Sequence, residues 1–204
     1  MKEPRNLLPL RRARVERMTR ETKIVVELTL DGTGEADVST GIGFFDHCLE
    51  ALAKHASFDL NVSCQGDLHV DGHHSVEDVG ICLGQALAKA CGDKRGIRRF
   101  GLAVVPMDEA LVEVALDFSG RACLGWHSFH WPQTMVGDFD VSLTKEFFRA
   151  LTANAGLTVH VTCRCGENAH HIIEATFKAL ARSLHEACFR DPQRSDVPST
   201  KGVL

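Results

Sequence analysis

Apolar residues recur along the chain in two alternating rhythms, and the same order of rhythms appears twice. A two-residue alternation runs through IVVELTL from Ile24 and again through LVEVALDF from Leu111. Period two sends successive side chains to opposite faces, so both stretches read as half-buried strands. Each runs into a polar, Gly-containing stretch, Asp31–Gly34 or Asp117–Gly120, which reads as the turn of a β-hairpin. Helical spacing follows over Phe44–Lys54 and over Leu143–Asn154. An alternating strand comes next, Phe58–Cys64 or Leu157–Cys163, and then a long amphipathic helix, Ser75–Cys91 or Ile172–Cys188.

The repetition reaches residue identity. HHSVEDVGICLGQALAKAC from His73 matches HHIIEATFKALARSLHEAC from His170, and ASFDLNVSC from Ala56 matches AGLTVHVTC from Ala155. Similarity of this kind marks a duplicated structural unit. The break falls in the polar stretch Gly92–Arg98, which divides the chain into a first unit over 1–93, with an N-terminal arm over about 1–13, and a second over 94–190. The expected fold is α/β and sandwich-like: two tandem similar units, each a small mixed sheet with two helices, packed as one body. The tail over 191–204 shows no periodicity and alone reads as disordered.

Composition narrows the setting. Of the 204 residues, 44% are hydrophobic and 25% charged, enough apolar surface for a core and enough charge for solubility. A formal net charge of −4 gives no general attraction to nucleic acid or to acidic membranes. No apolar run approaches the ~20 residues that span a bilayer, and no signal peptide opens the chain, so a cytoplasmic location is expected. The eight cysteines include no C-x-x-C pair and read as small, reduced, mostly buried residues.

Histidine carries the chemistry. Both long helices begin with His-His-x-x-Glu: His73, His74 and Glu77, then His170, His171 and Glu174. Spacings of three and four place each Glu on a face shared with a His. Adjacent His side chains diverge by about 100° on a helix, so one pair serves two ions more readily than it chelates one. Imidazole with carboxylate suits Mn, Fe, Zn, Ni or Co. A single such pair would read as helix capping or surface; its exact duplication points to two related metal sites. His47 and His160, taken alone, read as structural. Cations at Arg98, Arg99, Arg121, Lys178 and Lys201 offer partners for a phosphate, against the simpler reading of a solvated surface. With no Walker motif and no G-x-G-x-x-G after a strand, no nucleotide or other organic cofactor is expected.

The segments GIGFFDH, DGHHSVED, PMDEALVEVALDFSGR, VGDFDVSLTKEFF, AHHIIEATFKALARSL and STKGVL together resemble the imidazoleglycerol-phosphate dehydratases, from about Arg14 to Leu204. The resemblance departs from the family pattern at Ala51, Ala56 and Gly72, none of them a candidate ligand. It implies two Mn²⁺ ions per active site, each held by three His and one Glu, drawn from His47, His73, His74, Glu77, His160, His170, His171 and Glu174. Glu21 would be the acid/base, with Glu77 and Glu174 also serving catalysis as ligands. Glu21, His47, His55, Arg99, Arg121, Lys178, Ser199 and Lys201 would contact a small phosphorylated imidazole substrate. Self-association into a large cubic homo-oligomer is also implied, with the tail completing a neighbour's site. The implied reaction is a hydro-lyase step of histidine biosynthesis, from D-erythro-imidazoleglycerol phosphate to imidazole acetol phosphate and water. Metal on the substrate imidazole would favour its imidazolate form, which assists loss of the hydroxyl. A dinuclear metallohydrolase and a metal-glued structural assembly are the alternatives that the histidine clusters also permit.

Overall fold

Strand β1 (Arg12–Met18) turns tightly into β2 (Thr22–Thr29), and the chain crosses to β3 (Ala36–Ser39) before helix α1 (Gly43–Ala56). Strand β4 (Asp59–Gly66) and the long helix α2 (His73–Cys91) complete the first unit. The second repeats the order with β5 (Phe100–Met107), β6 (Ala110–Asp117), β7 (Cys123–His127), α3 (Leu143–Ala155), β10 (Thr158–Cys165) and α4 (Ala169–Cys188). It adds one small ribbon, β8 (Met135–Val136) with β9 (Phe139–Asp140). This computed structural model describes residues 10–204. Most of the arm expected over about 1–13 therefore lies outside the described residues, and by Arg12 the chain is already in a strand.

Both sheets have the same topology, β1-β2-β4-β3 and β5-β6-β10-β7. The first three strands of each pair antiparallel, and the last runs parallel to its neighbour. The hairpin turns differ from the sequence expectation. They lie at residues 19–21 and 108–109, while Asp31–Gly34 and Asp117–Gly120 carry the chain across the sheet to a strand that never pairs with its predecessor. The first strand escaped notice because its alternation is faint: in β1 only Val15 is buried.

The helices lie between the two sheets. Helices α1 and α2 cover the first sheet, α3 and α4 the second, and across the middle α1 packs on α4 while α2 packs on α3. Each shorter helix thus meets the long helix of the other unit. Phenylalanines fill the junction: Phe45 and Phe177 both lie against Phe147, with ring centroids 5.4 and 5.1 Å away. Each such buried ring removes on the order of 150–250 Å² from water. All eight cysteines are free; six are buried, and Cys123 and Cys165 are exposed.

The tail does not trail away. Ile97 bridges Arg190, the Gly96 amide donates to the Asp196 carbonyl at 2.9 Å, and Arg99 Nη1 donates to the Pro198 carbonyl at 2.9 Å. Its order comes from partners distant in sequence, which local periodicity cannot register. Among the described residues, no helix is long and apolar enough to cross a membrane.

Candidate metal centre

Helix α4 begins at Ala169, where the Asn168 side chain accepts the His170 N–H at 2.9 Å. Helix α2 begins at His73, whose N–H goes to Asp71 Oδ1 at 2.7 Å. These bonds satisfy helix-end donors and hold the paired histidines in the first turn. The rings within each pair are nearly perpendicular, 83° for His73/His74 and 82° for His170/His171. They diverge as the helical spacing requires.

One group converges. His47 Nε2 and His170 Nε2 each lie 3.1 Å from Glu174 Oε2. The ligand atoms of His47, His170 and Glu174 all fall within 4.8 Å of one another. Because α1 packs on α4, the first unit's His47 joins the second unit's motif rather than its own. Two imidazoles and a carboxylate, with an open side left by exposed His47, fit a divalent transition metal. Glu174 is buried, and Lys178 Nζ pairs with its other oxygen at 2.6 Å. Burial alone would raise its carboxyl, but hydrogen bonds from Lys178 and His47 bring it down to about 2. Burial first, then the charges of Lys178 and Arg182, press the His55 imidazole below its usual value.

The other candidates are distributed. His73 Nε2 stands 3.6 Å from Glu77 Oε2, and Arg149 approaches Glu77 at 3.9 Å. His74 presents Nε2 to Glu21 Oε1 at 3.9 Å, and Glu21 sits exposed at the β1–β2 turn. His171 points Nε2 toward Asp108 Oδ2 at 3.8 Å. His160 is exposed on the face of the second sheet opposite buried Val159 and Val161, and it stacks on His127 with centroids 5.4 Å apart. It therefore turns away from the helices and from His170.

Arg99 binds Asp117 through Nε at 2.7 Å as well as the tail carbonyl. Arg121 donates Nη1 to the Ser119 carbonyl at 3.3 Å, and Ser199 Oγ accepts the Lys201 N–H at 3.2 Å. The Arg99 N–H also donates to Ala187 at the far end of α4. His170 and Ala187 are seventeen residues apart on that helix, which is about 25 Å. Within one chain, the cluster of Arg99 and the tail is therefore remote from the converging group. Lys178, two turns into α4, is close to it.

Sequence reading missed Asp67, Asp108, Glu109 and His127. The three acids lie in turns or strand ends, where no periodicity singles them out; His127 gains its place only through strand pairing of β7 with β10.

Comparison with known proteins places these features in a family. A family model described as imidazoleglycerol-phosphate dehydratase matches residues 40–184. The imidazoleglycerol-phosphate dehydratase of Gluconobacter oxydans (strain 621H) is 56% identical over 195 residues, covering 95% of this chain and 98% of that one. That of Acidiphilium cryptum (strain JF-5) is 57% identical over 195 residues, covering 95% and 99%. Among solved structures, the dehydratase of Staphylococcus aureus superposes with a TM-score of 0.78 at 38% identity, covering 86% of this chain and 97% of that chain. The Pyrococcus furiosus enzyme, in complex with (S)-C348, gives 0.80 at 37% identity and covers 93% and 100%. Matched along nearly its whole length in sequence and in fold, this chain belongs to the imidazoleglycerol-phosphate dehydratase family of hydro-lyases.

Proposed function

We propose that this chain dehydrates D-erythro-imidazoleglycerol phosphate to imidazole acetol phosphate in histidine biosynthesis, with Mn²⁺ held by its histidine motifs. The observation that carries the reading is the convergence of His47, His170 and Glu174, with Lys178 alongside. The ligands are His47, His73, His74, Glu77, His160, His170, His171 and Glu174. When bound, divalent ions supply Lewis acidity toward the nitrogens of an azole substrate.

The remaining work falls to the chain. Glu21, exposed beside His74, takes the carbon-bound proton and delivers a proton to the departing hydroxyl. Lys178 and His55, close to the converging group, orient the glycerol chain. Arg99, Arg121, Lys178, Ser199 and Lys201 hold the phosphate, so binding energy remote from the reacting carbons aligns them.

The proposed sites form between copies of the chain. A substrate of a few ångströms cannot bridge the roughly 25 Å along α4 from His170 to the region of Arg99. His160 likewise faces away from the helix layer. Both facts favour self-association into a large homo-oligomer in which the tail over 191–204 serves a neighbour. We also assign units 1–93 and 94–190 to a duplication, and the free cysteines to a reducing compartment such as the cytoplasm.

Turnover of imidazoleglycerol phosphate by metal-stripped protein tests the reading. Activity should appear only on adding Mn²⁺. Inactivity with the ions bound and the assembly intact would overturn it, and hydrolysis of phosphate esters under the same conditions would point to the metallohydrolase instead.

A further inference from the structure

The second histidine of each motif has a feature the first lacks. His74 Nδ1 lies 3.0 Å from Asp67 Oδ2, and His171 Nδ1 lies 2.8 Å from Glu109 Oε2. An ionised carboxylate only accepts hydrogen bonds, so in each case the proton must reside on Nδ1. In the neutral imidazole, that choice leaves the lone pair on Nε2. Both freed nitrogens face outward from the first turn of their helix, toward Glu21 at 3.9 Å and Asp108 at 3.8 Å.

The two carboxylates are not copies of one residue. Asp67 follows the end of β4, whereas Glu109 lies in the β5–β6 turn. Glu109 also accepts the N–H groups of Glu167 and Asn168 at 3.0 and 2.9 Å through Oε1, which fastens it to the loop entering α4. The two halves of the molecule thus reach the same bond, on the same atom of the equivalent histidine, from different places in the chain. A packing accident would not recur in this way.

We propose that Asp67 and Glu109 are positioning residues that hold His74 and His171 as Nδ1–H tautomers, with Nε2 presented to a divalent cation. This inference rests on the metal-dependent reading above. Carboxylate behind a ligating imidazole fixes ring orientation and raises ligand basicity, and its loss commonly lowers metal affinity about 10- to 100-fold.

The test is Mn²⁺ binding to the metal-stripped full-length chain, followed by the electron paramagnetic resonance signal of free Mn²⁺. Asp67→Ala and Glu109→Ala should each weaken binding by about 10- to 100-fold. Asp67→Asn and Glu109→Gln should fall between these and the parent protein, because a side-chain carbonyl can still accept from Nδ1–H. Asp59→Asn is the control: Asp59 accepts the N–H groups of Thr33, Gly34 and Glu35, so its loss should loosen a turn and leave affinity unchanged. If Glu109→Ala fails to fold, the Asp67 variants decide the matter, since among the described residues the Asp67 side chain hydrogen-bonds His74 alone. Folded variants that bind Mn²⁺ like the parent would overturn the positioning role and leave the metal reading standing. A parent protein that takes up no Mn²⁺ would overturn both.

Discussion

Arg11 is only 8% exposed, and its guanidinium joins three parts of the molecule. Nη2 meets Asp31 Oδ1 at 2.6 Å, and Nη1 donates to the Cys188 carbonyl at the end of α4, also at 2.6 Å. Burial presses the Asp31 carboxyl upward, but the hydrogen bonds and charge of Arg11 outweigh that and hold it below its ordinary value. A depressed carboxyl contributes stability that is present above the unfolded-state value and lost as pH falls through the folded one. Removing Asp31 leaves the buried Arg11 charge with only the Cys188 carbonyl as a hydrogen-bond partner among the described residues. Asp31→Asn should therefore cost about 3 kcal/mol at neutral pH. Urea midpoints measured across the acid range should also fall less steeply for the variant than for the parent. Equal slopes would exclude this pair as a source of acid sensitivity. Nothing in the local pattern around Arg11 marks this role, because its partners are 20 and 177 positions away.

Helix α2 illustrates how an element's sequence encodes a neighbour. A Cβ on Gly84 would sit 2.6 Å from the Leu151 carbonyl oxygen and 2.9 Å from Asn154 Cβ, both on α3. Gly80 is similarly close to the Phe147 carbonyl, at 2.9 Å. These two glycines, one turn apart, let the α2 and α3 backbones approach. In an open helix, Gly→Ala would stabilise by up to about 1 kcal/mol. Here the methyl would meet backbone, which cannot swing aside, and overpacking costs about 1–3 kcal/mol. Gly84→Ala should lower the urea midpoint. Gly43→Ala, at the open start of α1 with nothing within 4 Å, should not. A midpoint raised by Gly84→Ala would mean that the α2–α3 contact relaxes without penalty. The helical period was legible in both helices; the meaning of the glycines was not, because it depends on α3.

Across the whole molecule, one surface is unusually apolar. On β5, Phe100, Leu102 and Val104 are 58%, 60% and 45% exposed, while the intervening Gly101, Ala103 and Val105 are buried beneath α4. Strand β5 is also the edge of its sheet. An exposed apolar row on an edge strand favours contact with another chain. If this row lies in the proposed homo-oligomer's interface, Leu102→Glu should reduce the particle mass in size-exclusion chromatography with light scattering, while circular dichroism stays unchanged. An assembly of undiminished mass would place the interface elsewhere. The sequence of β5 is a run of apolar residues, glycine and proline without polar alternation, so the face that meets water rather than α4 is set by packing.

The duplication, the periods of the helix, strand and long helix that follow each Asp–Gly stretch, and the placement of His-His-x-x-Glu at the start of both long helices were legible in the sequence. Those features depend on spacing along the chain, which a helix or strand converts directly into shared faces. Which Glu meets His47 depends on packing, because α1 crosses to α4 instead of packing on the helix that follows it. Tertiary structure also selected the true hairpin turns, ordered a tail without periodicity, and set Asp67 and Glu109 behind their histidines. Each of these is a contact between residues distant in sequence, chosen by which packing buries the most apolar surface while satisfying polar groups. No local pattern carries that information.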